Sequence, residues 1–143
     1  MTTPLLEVHD VHAGYGAVEI LRGISMQVLP GELVALLGSN GAGKTTLNNV
    51  LSGVLQTWSG QVRFEGDKLT GRHSREVVQA GLIHVPEGRK IFPNLSVLEN
   101  LRLGAYARAR ERRAHNLERV LATFPRLKER LSQLAGTMSG GEQ

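Results

Sequence analysis

The pattern of apolar and polar positions predicts five strands of two kinds. Residues 5–11 (LLEVHDV), 24–29 (ISMQVL) and 61–66 (QVRFEG) alternate loosely between apolar and polar side chains, which is typical of half-buried strands. Residues 33–37 (LVALL) and 82–86 (LIHVP) are almost continuously apolar, which suits strands of a parallel sheet that are covered on both faces. The pattern therefore predicts three half-buried strands and two strands of a covered parallel sheet.

Apolar side chains at helical spacing predict helices between and after these strands. The predicted helices lie within residues 47–53, 74–81, 96–107 and 117–124. Gly53 and Gly81 mark helix ends, and Ser96 with Glu99 forms a capping box. We interpret the apolar stripes, including the one that ends at Phe124, as core packing. The order of elements indicates an α/β protein with a helix-rich second half.

Composition and charge exclude a few kinds of protein and site. No apolar run approaches the ~18 residues of a membrane span, and the absence of cysteine excludes disulfides and thiolate metal sites. Residues 102–130 hold nine Arg or Lys against three Glu, a balance of +6, whereas the whole chain carries +4. Such a basic block is compatible with nucleic acid, anionic lipid, a protein partner or a solvated helix face. No series of aromatic residues interleaves the arginines, so stacking platforms for single strands are missing.

The most specific motif is GSNGAGKTT, which follows LVALL directly and matches G-x-x-x-x-G-K-[ST]. A chance match at four fixed positions is expected on the order of once in a hundred chains of this length or less. The apolar strand before it and the helix after it are the context that the motif requires. The predicted phosphate-binding loop, called the phosphate loop below, consists of Gly38, Ser39, Asn40, Gly41, Ala42, Gly43, Lys44, Thr45 and Thr46.

The spacing of the phosphate loop has a physical cause. Phosphate oxygens are held by converging backbone N–H groups, which requires a tight loop without obstructing side chains, and the three glycines supply it. The helix that begins near Lys44 directs its free N–H groups and positive dipole end to the same place. We predict that Lys44 contacts the outer phosphates and that the Thr45 hydroxyl is a Mg²⁺ ligand.

Tyr15 is a candidate for binding a base. It lies between glycines in AGYGAVE, where an aromatic ring has little to pack against within its own loop. An exposed ring at this position can stack on adenine, with a contribution of ~1–3 kcal/mol. A surface tyrosine without a ligand is the alternative interpretation.

Three segments together resemble the ABC-type ATPases. Residues 138–143 (MSGGEQ) resemble the signature motif of that family, residues 85–101 (VPEGRKIFPNLSVLENL) occupy the place of its Q-loop and following helix, and Tyr15 falls where its adenine-stacking aromatic lies. Order and spacing agree over the whole chain. The resemblance implies the first part of an ABC transporter ATP-binding subunit, and we expect the sequence to be truncated at the signature motif.

A finer resemblance concerns the type of importer. Glu87 replaces the usual Gln of the Q-loop, and with FPRL (124–127) this is similar to the ATP-binding subunits of branched-chain amino acid importers; amide or urea importers remain open. Glu87 is expected to ligate Mg²⁺ and to hydrogen-bond the attacking water. Asn48 departs from the apolar residue usual in the family, and we expect it to be exposed.

The resemblance implies a P-loop NTPase fold with an antiparallel β-subdomain, an incomplete parallel core sheet and a helical subdomain. Residues 1–95 would form the β-subdomain and Walker A core, and residues 96–143 the helical subdomain up to the signature motif. The family's Walker B strand, catalytic Glu and switch His are not among the 143 residues. We therefore expect an ATPase by family whose chain is inactive alone.

Site roles and partners follow from the same resemblance. ATP and Mg²⁺ would lie between two ATP-binding subunits, in a homo- or heterodimer. The phosphate loop, with Lys44 as a catalytic residue, would face the other subunit's signature residues, namely Ser139, Gly140, Gly141 and Glu142. The region around Glu87 would face membrane permease subunits, which implies a cytoplasmic protein, peripheral on the inner face of the plasma membrane.

Two alternatives remain open. A non-transport ABC ATPase acting on nucleic acid or ribosomes has only the basic block in its favour, and we expect no direct nucleic acid binding. A nucleotide-binding remnant without turnover is the second. Assays of salt-dependent nucleic acid binding and of ATP hydrolysis with permease partners distinguish these from an importer subunit.

Overall fold

The computed structural model describes residues 3–106 and 112–143, which divide into two units, Met1–His84 and Val85–Gln143. The predicted division at residues 95 and 96 stays a prediction. Residues 107–111, which belong to the predicted basic block, lie outside the described residues.

The first unit is built on one antiparallel sheet. Its strands, in the spatial order β2-β1-β3-β4, are β1 (Leu6–Tyr15), β2 (Val18–Val28), β3 (Ser59–Phe64) and β4 (Asp67–Lys68). The three alternating strands predicted from the sequence are thus confirmed. β1 and β2 extend further than predicted, and Tyr15 pairs with Val18 across a two-residue turn. Gly16 in this turn has φ 58°, a conformation that glycine adopts without steric cost.

The inward face of β1 continues through an irregularity in the strand. Leu6 and Val8 are buried, as alternation along a strand requires. After Asp10 the buried positions move by one residue, so that Val11 and Ala13 are buried instead. Asp10, with φ 46°, lies at the shift in register, where an extra residue restores the apolar face.

The core of the first unit lies between this face and helix α1 (Lys44–Leu51). Leu47 and Val50 of α1 join the buried cluster, as their helical spacing predicts. Leu21 of β2 is only 2% exposed and belongs to the same cluster. The helix is thereby fixed against the hairpin of β1 and β2, and this packing determines where the residues before α1 lie.

The two continuously apolar segments do not form strands, so their prediction as strands was wrong. Residues 33–37 lie outside helix and strand, with Leu33 97% and Leu37 91% exposed. Residues 82–86 are likewise irregular, and Val85 is 86% exposed. A parallel strand needs hydrogen-bonded neighbours and helices over both faces. In the described residues, β1 to β4 pair only with one another, and neither segment is paired with them.

Helices account for most of the remaining regular structure. They are α2 (Ser74–Ala80), α3 (Val97–Gly104), α4 (Arg113–Thr123), α5 (Pro125–Lys128) and a 3₁₀ turn (Ala135–Thr137). The predicted capping box before α3 is confirmed: the Glu99 N–H donates to the Ser96 hydroxyl over 3.2 Å, and the Ser96 N–H donates to the Glu99 carboxylate over 2.8 Å. Within the described residues, no helix is both long and apolar enough to cross a membrane.

The apolar stripe of α4 is less buried than predicted. Leu117, Val120 and Leu121 are half-buried, whereas Phe124 is 56% exposed. The prediction of core packing was therefore wrong for Phe124. Helix α4 ends at Thr123 and Pro125 begins α5, so Phe124 lies in the break between the two helices and is not held on either face.

Candidate phosphate-binding site

The phosphate loop lies at the surface and leads directly into α1. Gly41 and Gly43 have φ 87° and 90°, in the left-handed region where a side chain is strained. The Ala42 N–H donates to the Ser39 carbonyl over 3.2 Å, which closes the loop into a turn. Gly43 is the N-cap of α1, and no side chain caps the helix. The first N–H groups of α1 are therefore not satisfied by a capping side chain.

Packing against β2 fixes the position of Gly43. A Cβ atom at residue 43 would lie 3.0 Å from Leu21 Cδ2 and 3.3 Å from Ile20 Cγ2. Leu21 is buried, so its methyl group has little room to move. The glycine thus serves two purposes: it permits the left-handed backbone, and it lets the start of α1 approach the β1–β2 hairpin closely.

Lys44 extends across the loop that precedes it. Its Nζ donates to the carbonyl oxygens of Gly38 and Ser39, over 2.6 and 2.7 Å. An ammonium group has three donors, so one remains for a further acceptor. Among the ion pairs of the described residues none involves Lys44, so no carboxylate neutralises its charge.

The two threonines after Lys44 differ in exposure. Thr45 is exposed, whereas Thr46 is buried at 6% exposure. Of the two hydroxyls, that of Thr45 is the one open to a ligand. Ser39 and Asn40 are exposed as well, and Asn48 is exposed as expected.

Tyr15 belongs to the same unit and lies at the tip of the β1–β2 hairpin. Its side chain is 50% exposed, and its hydroxyl oxygen accepts a hydrogen bond of 3.1 Å from Asn49 Nδ2 of α1. Sequence reasoning missed Asn49. No local signal points to it, because the pair is separated by 34 residues and forms only when α1 packs against the hairpin.

A second polar pair lies on the hairpin. His12 Nδ1 is 2.6 Å from Glu19 Oε1, and His12 Nε2 is 3.5 Å from Asp10 Oδ1. The hydrogen bond with Glu19, helped by the negative charge of Asp10, raises the pKa of His12 above its ordinary value of 6.5. Sequence reasoning missed this pair too, since the two residues come together only through the pairing of β1 with β2.

Glu87 lies in the second unit, in an exposed turn. Gly88, Arg89 and Lys90 all have positive φ, at 82°, 63° and 40°, and the Lys90 N–H donates to the Gly88 carbonyl over 2.7 Å. Left-handed conformations at Arg89 and Lys90 are uncommon for residues with a side chain and mark a sharply bent loop. The Glu87 carboxylate is exposed at the start of this bend.

Residues 138–143, called the signature turn below, begin like a capped helix. The Ser139 N–H and hydroxyl both donate to the Glu142 carboxylate, over 3.1 and 2.8 Å. The Gln143 N–H donates to the Ser139 carbonyl over 3.2 Å, which closes one turn. Residues 139–143 therefore form one closed turn. The two hydrogen bonds from Ser139 lower the pKa of Glu142 below its ordinary value of 4.5, and the charge of Arg130, whose Nη1 is 3.4 Å from Glu142 Oε2, adds to this effect.

Arg89 covers one glycine of the signature turn. A Cβ atom at Gly140 would collide with the Arg89 guanidinium, and Arg89 Nη1 is 3.3 Å from Gln143 Oε1. A Cβ at Gly141 would meet nothing within 4 Å. The structure thus brings the Glu87 loop and the signature turn together in the second unit, whereas the phosphate loop and Tyr15 belong to the first.

Hard oxygen ligands for Mg²⁺ are available, but not a metal cage. In residues 3–106 and 112–143, no group of three or more His, Asp or Glu residues is arranged to hold a metal ion. Mg²⁺ commonly takes one or two protein oxygens and completes its shell with water and substrate phosphates. The exposed Thr45 hydroxyl of the first unit has the chemistry of such a ligand, and so, separately, has the exposed Glu87 carboxylate of the second.

Comparisons with known proteins agree with these observations. The family model described as ABC transporter matches residues 21–143. The high-affinity branched-chain amino acid transport ATP-binding protein BraG of Pseudomonas aeruginosa is 44% identical over 139 residues, which cover 97% of this chain and 60% of that protein. The xylose import ATP-binding protein XylG of Burkholderia cenocepacia is 43% identical over 106 residues, or 73% of this chain and 20% of that protein.

Solved structures give the same result for the fold. A structure described as an ATP-binding subunit of an ABC transporter superposes with a TM-score of 0.81 at 33% identity, and covers 96% of this chain and 57% of that chain. The predicted fold class is confirmed by this similarity, although the two parallel strands are not formed. The chain spans about three fifths of the length of the relatives that it matches from end to end.

Proposed function

Since this chain belongs to the ABC transporter family, we propose that it binds ATP as part of the ATP-binding subunit of an importer. We propose branched-chain amino acids as the solute class. In this proposal, the phosphate loop and Tyr15 bind one nucleotide, and ATP binding and hydrolysis by the complete subunit energise import.

The observation that carries the proposal is the start of α1. Gly43 begins the helix in a left-handed conformation without a capping side chain, and the Lys44 ammonium lies over the same loop. Bare N–H groups, the positive end of the helix dipole and an unneutralised cation all favour an anion at one place. A triphosphate tail supplies several charged oxygens for these donors.

The residues of the loop have separate roles in the proposal. Lys44 keeps two N–H bonds to Gly38 and Ser39 and offers the third to an outer phosphate. Thr45 would ligate Mg²⁺, and the ion would supply charge neutralisation between the phosphates. Thr46, which is buried, would hold the loop in place from below.

The other ends of the nucleotide are assigned by the family resemblance. Tyr15 would stack on adenine with the face of its half-exposed ring. Ser139, Gly140 and Gly141 of a second ATP-binding subunit would close over the γ-phosphate, and Glu142 would hold Ser139 in position from within the signature turn. Glu87 would orient the attacking water.

Similarity over the whole chain supports the choice of solute. BraG is matched over 97% of this chain, whereas the xylose importer protein is matched over 73%. Glu87 in VPEGR agrees with the former type. Permease subunits would be the partners, with the subunit on the cytoplasmic side of the plasma membrane. A membrane carrying branched-chain amino acid permease subunits should retain the protein in co-sedimentation, and equal retention by membranes with sugar permeases would contradict the solute assignment.

Substitution of Lys44 tests phosphate binding. Lys44→Ala should weaken MgATP binding about 10- to 150-fold, because one charged hydrogen bond contributes ~1.5–3 kcal/mol. Isothermal titration calorimetry measures the dissociation constant. Lys68→Ala, an exposed lysine of β4, is the control and should bind as the unchanged chain does. Equal affinities for both variants would refute the assignment of the loop.

Substitution of Tyr15 tests base binding. Tyr15→Ala should weaken MgATP by ~1–3 kcal/mol but leave inorganic tripolyphosphate unaffected, because the latter has no base to stack. The same titration with the two ligands gives the comparison. An equal loss for both would mean that the ring does not stack.

The groove between α3 and α4 provides a reason to test nucleic acid as well. Arg102, Arg113 and Arg119 line this groove, whose volume is about 600 Å³. Binding of RNA or DNA that weakens steeply with salt would favour the non-transport alternative. Under the present proposal, neither binds at physiological salt.

A further inference from the structure

Asn49 connects the proposed phosphate site to the proposed base site. Its Nδ2 donates to the Tyr15 hydroxyl oxygen over 3.1 Å, and this bond joins α1 to the hairpin tip. We propose that Asn49 is a positioning residue that holds the Tyr15 ring ready for the base. The inference rests on the proposed function, because it concerns the same nucleotide site.

The hairpin tip by itself does not fix the ring. Tyr15 is followed by a two-residue turn, and residues 15–18 are all exposed. A half-exposed aromatic side chain in such a turn samples several rotamers. A hydrogen bond at the hydroxyl, the atom farthest from the backbone, restricts both side-chain torsions at once. Ordering the ring before the ligand arrives lowers the entropic cost of binding.

Asn49 is itself well anchored. It is half-buried in α1, and its carbonyl accepts the N–H groups of Val54 and Leu55, over 2.9 and 3.0 Å. The turn that follows α1 is thus tied back to the same residue. The amide that reaches Tyr15 therefore extends from a fixed backbone.

Helix α1 relates the two ends of the nucleotide to each other. Lys44 begins the helix and Asn49 lies five residues later in it, so the phosphate donors and the amide belong to one rigid element. At the helix start, Gly43 packs on Ile20 and Leu21 of the same hairpin. Contacts at both ends of α1 therefore set the position of Tyr15 relative to the phosphate loop.

The chain offers a matched control next to Asn49. Asn48 is the same residue type on the same helix, but it is exposed. In the described part of the chain, the Asn48 side chain makes no hydrogen bond, whereas its backbone carbonyl accepts two, from the Ser52 N–H and the Ser52 hydroxyl. Replacing either asparagine by leucine changes helix propensity similarly, so the two variants differ in the bond to Tyr15 and in the burial of the new side chain.

Calorimetric titration of the 143-residue chain with MgATP and with magnesium tripolyphosphate tests the inference. Asn49→Leu and Tyr15→Phe should each weaken MgATP by roughly two- to tenfold, the effect of one neutral hydrogen bond. The double variant should lose no more than either single variant, because both remove the same bond. Tripolyphosphate affinity should stay unchanged throughout, and Asn48→Leu should match the parent chain for both ligands.

The outcomes separate the inference from the proposed function. If Tyr15→Ala loses MgATP selectively but Asn49→Leu behaves as Asn48→Leu does, base stacking stands and the role of Asn49 is overturned. Additive losses in the double variant also overturn it. If the chain binds neither ligand, or if Tyr15→Ala weakens both equally, the proposed function itself fails.

A measurement without ligand protects the test against misfolded variants. Between the parent chain and the Tyr15→Phe variant, the side-chain amide resonances of Asn49 should shift, while those of Asn48 stay in place. Nuclear magnetic resonance of the ¹⁵N-labelled chain measures both. Unchanged Asn49 resonances would show that the amide does not contact the hydroxyl.

Discussion

The starts of α1 and α3 are built in opposite ways. At α3, Ser96 and Glu99 satisfy each other's backbone N–H groups, so the helix end is complete without any ligand. At α1, Gly43 has no side chain, and the helix is held by close packing of this glycine on β2. The signature turn follows the α3 design, with Ser139 and Glu142.

The difference shows how a helix end becomes a binding site. A capping box consumes the N–H groups that an anion would need, and its carboxylate opposes a second negative charge. A glycine cap held by packing fixes the helix equally well while it exposes those N–H groups. At α1, packing of Gly43 supplies the stability and leaves the N–H groups free for an anion. At α3, the capping box uses the N–H groups for stability.

The largest expected effect comes from the glycine at the start of α1. Gly43→Ala should lower the free energy of unfolding by about 2–5 kcal/mol, because it adds left-handed strain of ~1–2 kcal/mol to a clash with the buried Leu21. Gly41→Ala has the same positive φ but meets nothing within 4 Å, so only the strain should remain. Urea denaturation measures both, and equal losses would show that packing on β2 does not hold α1.

The cap of α3 should have a smaller effect. Ser96→Ala should lower the free energy of unfolding by about 0.5–2 kcal/mol, the usual contribution of an N-cap. Ser132→Ala, at an exposed position, is the control and should stay near the parent value. A loss for Ser96→Ala as large as that for Gly43→Ala would remove the distinction between the two helix starts.

Acid should weaken α3 and leave the start of α1 unaffected. The Ser96 hydroxyl and backbone N–H lower the pKa of Glu99 below its ordinary value of 4.5. A lowered pKa stabilises the folded state fully above pH 4.5, and this contribution is lost as the pH falls through the lowered value. The difference in melting temperature between the parent and Glu99→Gln should therefore shrink between pH 6 and pH 3. A Glu118→Gln control should not reproduce this change.

The smallest expected effect concerns the hairpin of β1 and β2. Its pH dependence is opposite to that of Glu99. Glu19 raises the pKa of His12, so their pairing stabilises the fold fully below pH 6.5 and is lost as the pH rises through the raised value. The difference in melting temperature between the parent and Glu19→Gln should decrease from pH 6 to pH 9. A difference that grows with pH would contradict the pairing.

Much of the fold and site was predictable because it depends on local chemistry. Alternating side chains predicted β1, β2 and β3, and short-range capping rules predicted the start of α3. The glycine spacing of the phosphate loop predicted a tight loop, since glycine adopts unusual backbone conformations without strain. Exposure of Asn48 followed from its place beside the apolar stripe of α1.

Other features required contacts between distant parts of the chain. Residues 33–37 have the composition of a buried strand, but a strand forms only through pairing with a neighbour, and in the described residues β1 to β4 pair only with one another. The pairs Asn49 with Tyr15 and His12 with Glu19 exist because strands and helix meet in space. Sequence by itself therefore determined which residues are candidates for phosphate binding, while tertiary packing decided which side chains hold them in place.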